Sequence, residues 1–68
     1  MLRDKLLEAS RKHFAAHVQK HQVNIEVLLS APVGVAEHPD LMETIEQELA
    51  LMAEYHDKLE MLNIYFSN

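Results

Sequence analysis

Glycine and proline, the residues that most often interrupt helices, are confined to the middle of this chain. Its single glycine, Gly34, and its two prolines, Pro32 and Pro39, separate two long stretches that contain neither residue. Apolar side chains of the first stretch recur along one arc, which predicts an amphipathic helix over about residues 2–29. The residue before a proline is driven out of the helical region, so we expect a connection over about residues 30–38. A second helix should begin near Pro39, which suits a first turn, and run to about residue 66.

The second predicted helix carries residues at alternating spacings of three and four, the pattern of a helix that packs along one line. We call this line the predicted seam. It consists of Met42, Ile45, Leu49, Met52, His56, Leu59, Asn63 and Phe66. Polar residues at such positions often fix the register and the number of helices in a bundle, and this is the role expected of His56 and Asn63. We expect the predicted seam to form the interface of an oligomer.

The size of the chain favours self-association. It has 68 residues and no cysteine, so a disulfide is excluded, and a domain this small seldom buries enough apolar surface alone. Helices of matched length favour an antiparallel pair, but two helices in contact along one line cannot cover apolar arcs this wide. The sequence therefore predicts an all-α fold, an antiparallel two-helix hairpin that dimerises into a four-helix bundle. A trimer or larger homo-oligomer is the alternative.

Charge is divided unevenly along the chain. Residues 1–29 carry a net charge of +2 and residues 37–68 a net charge of −7, within a total of −5. Such opposite segments favour packing of the first helix against the second, within one chain or between two. The acidic half would repel a phosphate backbone and the first half is only weakly basic, so we expect no nucleic-acid partner. The sequence has no signal-peptide pattern and no membrane-spanning apolar run, so we expect a cytoplasmic protein.

Three histidines of the first helix follow one another at intervals of four residues, which makes them neighbours on one face. A tight hairpin that turns near Gly34 would set His13 level with His56. Together with His17 they could form a cluster, with Asp57 or Glu60 as a carboxylate neighbour. The candidate metal ligands are therefore His13, His17, His21 and His56. The pattern lacks the glutamate of an H-E-x-x-H metalloprotease motif and the Glu-x-x-His pairs of di-iron bundles.

We therefore expect no bound metal or other cofactor. Histidines in this position are expected to lie half-buried at the helix interface, hydrogen-bonded to one another, to water or to carboxylates. The alternative is a metal-binding bundle, or a small metal-dependent enzyme, that uses the cluster of His13, His17 and His56.

Four acidic residues of the second helix form two pairs, Glu43 with Glu46 and Glu54 with Asp57. Their spacing resembles the ExxE and ExxD pairs that hold magnesium in the all-α nucleotide pyrophosphohydrolases. In that family the pairs lie on separate helices, so that carboxylates surround the ions from opposing sides. Here both pairs lie on one helix, so we expect a solvated acidic surface, with a metal-dependent enzyme as the alternative. Because the chain also lacks a cysteine nucleophile and a glycine-rich phosphate loop, we expect it not to be an enzyme.

Over nearly its full length the chain resembles small helical proteins encoded by marine phages of cyanobacteria. The resemblance is carried by the stretches LLEASRKHFAAHVQKHQVNIEVLL, AEHPD and ETIEQELALMAEYHDKLEML. It implies no reaction and no site residue. It implies a small accessory or adaptor protein that acts through contacts with another, unidentified protein in the cytoplasm of the host.

Overall fold

Two long α-helices make up nearly all of the chain that the structure describes. The structure is a computed structural model and describes residues 1–30 and 39–67. Helix α1 is Leu2–Leu29 and helix α2 is Pro39–Tyr65. The predicted all-α fold is confirmed. Apart from Ser30, the expected connection over 30–38 lies outside the described residues.

Helix α1 ends where Ser30 caps its last turn. The N–H of Ser30 donates to the carbonyl of Glu26 at 3.1 Å, and its hydroxyl donates to the carbonyl of Val27 at 2.9 Å. The last carbonyl groups of a helix have no partner within it, so these bonds satisfy acceptors that would otherwise need water.

The two helices lie side by side and run in opposite directions. His21 of α1 contacts Glu48 of α2, whereas Arg11, more than two turns earlier on α1, contacts Asn63, four turns later on α2. Falling residue numbers on one helix thus meet rising numbers on the other. The molecule is 53 Å long and 15 by 12 Å across, the shape of a single antiparallel hairpin. The predicted hairpin is confirmed.

The side chains of α2 that face α1 form a line that differs from the predicted seam. We call it the contact line. Its half-buried members are Leu41, Ile45, Glu48, Met52, Tyr55, Leu59 and Leu62. Three of these residues also belong to the predicted seam, whereas the other five members of that seam are exposed, Leu49 at 51%. The predicted seam therefore lies along one edge of the hairpin contact, and its part in an oligomer interface stays a prediction.

A single hairpin leaves many apolar side chains exposed to water. Among residues 1–30 and 40–67 no apolar side chain is fully buried, and the only buried residue is His21, which is 5% exposed. The chain exposes 5280 Å², whereas a compact monomer of its 7.9 kDa would expose about 4400 Å². Neither helix, over the described residues, has an apolar stretch long enough to cross a membrane.

Candidate functional site

A polar layer crosses the otherwise largely apolar contact between the helices. It consists of His21 and Asn24 on α1 and Glu48 on α2. Nδ1 of His21 lies 2.6 Å from Oε2 of Glu48, and the side-chain amide of Asn24 donates to the same oxygen at 3.1 Å. Because His21 and Asn24 are three residues apart, both project from one face of α1 and can reach the same carboxylate.

The polar layer holds Glu48 in its charged form. Hydrogen bonds from His21 and then from Asn24 lower the pKa of the Glu48 carboxyl, and they outweigh the opposing effect of burial. An ionised carboxylate can only accept hydrogen bonds, so the His21 Nδ1–H group donates to it. A charged acceptor makes such bonds shorter and stronger than bonds between neutral groups. The layer therefore links the helices at one fixed register.

A stack of aromatic rings adjoins the polar layer, with Tyr55 of α2 at its centre. The Tyr55 and His17 rings are nearly parallel, at 14°, with centroids 4.2 Å apart. The Tyr55 ring lies 6.0 Å from that of His21 and 6.2 Å from that of Phe14. The Nζ atom of Lys58 lies 5.1 Å from the Tyr55 centroid, within the range of a cation–π contact. Tyr55 thus lies against His17 and His21, which occupy successive turns of α1.

His17 is better suited to this stack than to metal ligation. Burial first, and then the neighbouring charge of His13, lower the pKa of His17, which favours the neutral form of its ring. Its Nδ1 atom is buried, and no described residue offers it a hydrogen-bond partner. A metal bound at Nε2 would force the ring proton onto Nδ1. Metal-bound histidines normally donate that N–H to an acceptor, and no described residue offers one to His17.

The predicted cluster of His13, His17 and His56 is not assembled in one hairpin. The His13 ring lies 4.5 Å from that of His17, but the exposed His56 has its carboxylate neighbour, Glu60, on its own helix at 3.9 Å. His56 lies on the same line of α2 as Asn63, two turns away. Within the described ranges, no group of three or more histidine or acidic side chains could hold a metal ion.

The acidic pairs of α2 are likewise separate from the interface. All four of their carboxylates are exposed, and one of them, Glu54, pairs with Lys58 on the next turn at 3.4 Å. This is the solvated surface that was expected.

The expectation of an interface histidine bonded to a carboxylate is met at His21, which is buried rather than half-buried, but sequence reasoning missed its partner, Glu48. The alternating spacing of three and four runs through Leu41, Ile45 and Glu48 as regularly as through the predicted seam. Two members of the contact line, Glu48 and Tyr55, could have been found in this way. The signal available in the sequence was that both residues lie opposite histidines of α1 in an antiparallel hairpin.

Comparison of the chain with known protein families, with curated proteins and with solved structures finds no match. The polar layer and the exposed apolar surfaces of the hairpin are therefore the features that bear on its function.

Proposed function

We propose that the protein is a non-enzymatic helical module that self-associates, two hairpins packing into a four-helix bundle. The predicted seam of α2 supplies its interface. The observation that carries this proposal is the exposure of two apolar seam residues, Met42 and Leu49, on one side of the hairpin, here called the Arg11 side. It is the side on which Arg11 contacts Asn63.

The predicted seam is half covered in a single chain. Ile45, Met52 and Leu59 are half-buried against α1, while Met42 and Leu49 are exposed toward the Arg11 side. A helix in a four-helix bundle touches two neighbours and so buries a broader strip than a helix in a hairpin. A second copy on the Arg11 side would bury both halves of the seam.

Charge supports the same arrangement. Residues 1–29 have a net charge of +2 and residues 37–68 a net charge of −7. A dimer that sets α1 of each copy beside α2 of the other brings opposite charges together at the rim. His56 and Asn63 then lie within the interface of the two copies, where polar residues favour one register over its alternatives.

The role proposed for the bundle is that of an adaptor. The resemblance to small helical phage proteins supports a phage accessory protein that acts on an unidentified protein in the host cytoplasm. The polar layer suits this role because it selects one helix register and so presents one defined outer surface.

Two leucines of α2 provide a matched test. Leu49 and Leu51 are 51% and 40% exposed, but they point about 160° apart on the helix, since each residue turns it by about 100°. Sedimentation equilibrium should find a lower mass for Leu49→Glu than for the wild type, whereas Leu51→Glu should keep the wild-type mass. Circular dichroism would confirm that both variants stay helical. If Leu49→Glu kept the wild-type mass, the predicted seam would not be the interface.

A further inference from the structure

A second exposed line of residues runs along the outside of α1 and is used by neither the hairpin contact nor the Arg11 side. We call it the outer stripe. Its apolar members are Leu2, Leu6, Ala9, Ala16, Val23 and Val27. With His13 and Lys20 it forms an unbroken alternation of spacings of three and four from residue 2 to residue 27. Leu6 is 58% and Val23 52% exposed, so a row of apolar side chains suited to helix packing faces water.

The outer stripe cannot be covered by the dimer proposed above. His13, a member of the stripe, is exposed beside His17, on the side of the hairpin where Lys58 lies over Tyr55. Arg11 projects about 160° away from His13 around α1, because each residue turns the helix by about 100°. A second copy seated on the Arg11 side therefore leaves the outer stripe exposed.

We propose that the outer stripe binds the outer stripe of another copy of this chain, with the two α1 helices antiparallel. The proposal rests on the self-association proposed above and adds a second contact surface to it. An antiparallel alignment places the two ends of the stripe together, Leu2 against Val27 of the other copy and Leu6 against Val23. It also places the long Lys20 side chain against the small Ala9. The long Lys20 side chain thus meets a small one, and the larger apolar side chains at the two ends meet one another, which allows close packing.

Charges beside the stripe favour the antiparallel direction over the parallel one. In the antiparallel pair, Lys5 lies close to Glu26 of the other copy, and the two-fold symmetry repeats this contact. In a parallel pair, Lys20 would face Lys20, and like charges at facing positions are unfavourable. The same patch thus complements itself under a two-fold axis, as the interface of a homodimer must.

Disulfide trapping tests both the surface and the direction. The wild type has no cysteine, so any cross-link comes from an introduced residue. Positions 2 and 27 are about 38 Å apart along one helix, which excludes a bond within a chain. A mixture of Leu2→Cys and Val27→Cys chains should form the mixed disulfide dimer under mild oxidation, whereas Leu2→Cys alone should not cross-link. Efficient cross-linking of Leu2→Cys alone would overturn the antiparallel pair.

Two neighbouring alanines give the matched control. Ala16 lies in the outer stripe, and Ala15, also exposed, lies outside it, one turn after Arg11 on the Arg11 side. Each change is made in both cysteine variants. Ala16→Glu places a charge within the contact between the two α1 helices, so it should weaken that contact at least about tenfold and abolish the mixed cross-link. Ala15→Glu should leave the mixed cross-link unchanged. An undiminished cross-link in Ala16→Glu would overturn the surface.

The failure of this proposal is distinguishable from that of the four-helix bundle. If Leu49→Glu disrupts association but the mixed cysteine sample gives no cross-link, the outer stripe is not a contact surface and the bundle stands. If the cross-link forms while Leu49→Glu changes nothing, the outer stripe holds the copies together and the predicted seam does not. The full proposal requires wild-type species larger than a dimer, which Leu49→Glu reduces to a dimer joined through α1.

Discussion

Nδ1 of His21 lies 2.6 Å from the Glu48 carboxylate, at the most deeply buried position of the described chain. Buried polar pairs seldom add much net stability compared with apolar residues of similar size, but the loss of one partner leaves the other without compensation. We therefore expect the pair to select a register more than to stabilise the fold. A shift of α1 along α2 by one turn would separate the two groups.

Removal of the Glu48 carboxylate should destabilise the hairpin. In Glu48→Ala the His21 N–H and the Asn24 amide lose their shared acceptor, and an unsatisfied buried donor costs about 1–3 kcal/mol. Urea unfolding at a fixed protein concentration measures the loss. The exposed Glu46→Ala is the control and should change the free energy of unfolding by less than about 0.5 kcal/mol.

The double variant His21→Leu, Glu48→Leu separates register selection from stability. It should be about as stable as the wild type, and much more stable than the sum of the single variants predicts. A loss in Glu48→Ala no greater than in Glu46→Ala would contradict the assigned role of the polar layer.

Stability should fall as the solution is made acidic. The pKa of His17 in the folded chain lies below its ordinary value of 6.5, so the folded state binds fewer protons than the unfolded one, and stability declines as pH falls through 6.5 toward the folded value. The pKa of Glu48 also lies below its ordinary value of 4.5, so its contribution is present above 4.5 and is lost as pH falls through the lower, folded value. Both groups act in the same direction.

Urea midpoints measured from neutral to acidic pH would show this decline. His17→Asn should remove the loss of stability that begins near pH 6.5 and retain the loss at lower pH. Glu48→Gln should remove the loss that begins near pH 4.5. Stability that rises as pH falls through 6.5 would contradict the burial of His17.

Tyr55 should hold the His17 ring in place. Tyr55→Leu removes the stacked ring and should cost about 0.5–1.5 kcal/mol beyond the change in buried area, while Tyr55→Phe keeps the ring and should cost less. Because the two rings lie 4.2 Å apart, Tyr55→Leu should also shift the ring proton resonances of His17. Unchanged His17 resonances would show that the rings are not stacked in solution.

Arg11 should protect the last turn of α2. Its guanidinium donates through Nη2 to the carbonyl of Phe66 at 2.9 Å and through Nε to Oδ1 of Asn63 at 3.1 Å. Arg11→Ala should lower the free energy of unfolding by less than about 1 kcal/mol because the bonds are exposed, but amide exchange at the end of α2 should quicken. Lys12→Ala, which removes only the pair with Glu8, should leave that exchange unchanged.

The sequence was sufficient to predict the two helices and their antiparallel packing. Interrupting residues occur only between Pro32 and Pro39, and apolar periodicity on both sides requires partners. The line along which α2 meets α1 could not be read with the same certainty. The predicted seam and the contact line share Ile45, Met52 and Leu59. A carboxylate at position 48 disfavours burial of the contact line unless its partners on α1 are known. Tertiary contacts decided between them.

The candidate metal cluster illustrates a second limit. Hairpin geometry predicts which residues lie at the same height, but height does not determine the direction in which a side chain projects around the helix. His13 lies beside His17, whose ring stacks on Tyr55, whereas His56 follows the line of Asn63 toward the Arg11 side. Because α2 contacts α1 through Glu48 and Tyr55 instead of Leu49 and His56, the two histidines lie apart.

The most direct test of the central claim is the mass of the wild-type protein in solution. Sedimentation equilibrium from low to high micromolar concentration should give a mass of at least twice the 7.9 kDa of one chain. A folded, helical species of 7.9 kDa throughout that range would contradict the account, because the exposed apolar faces would then have no second copy to cover them.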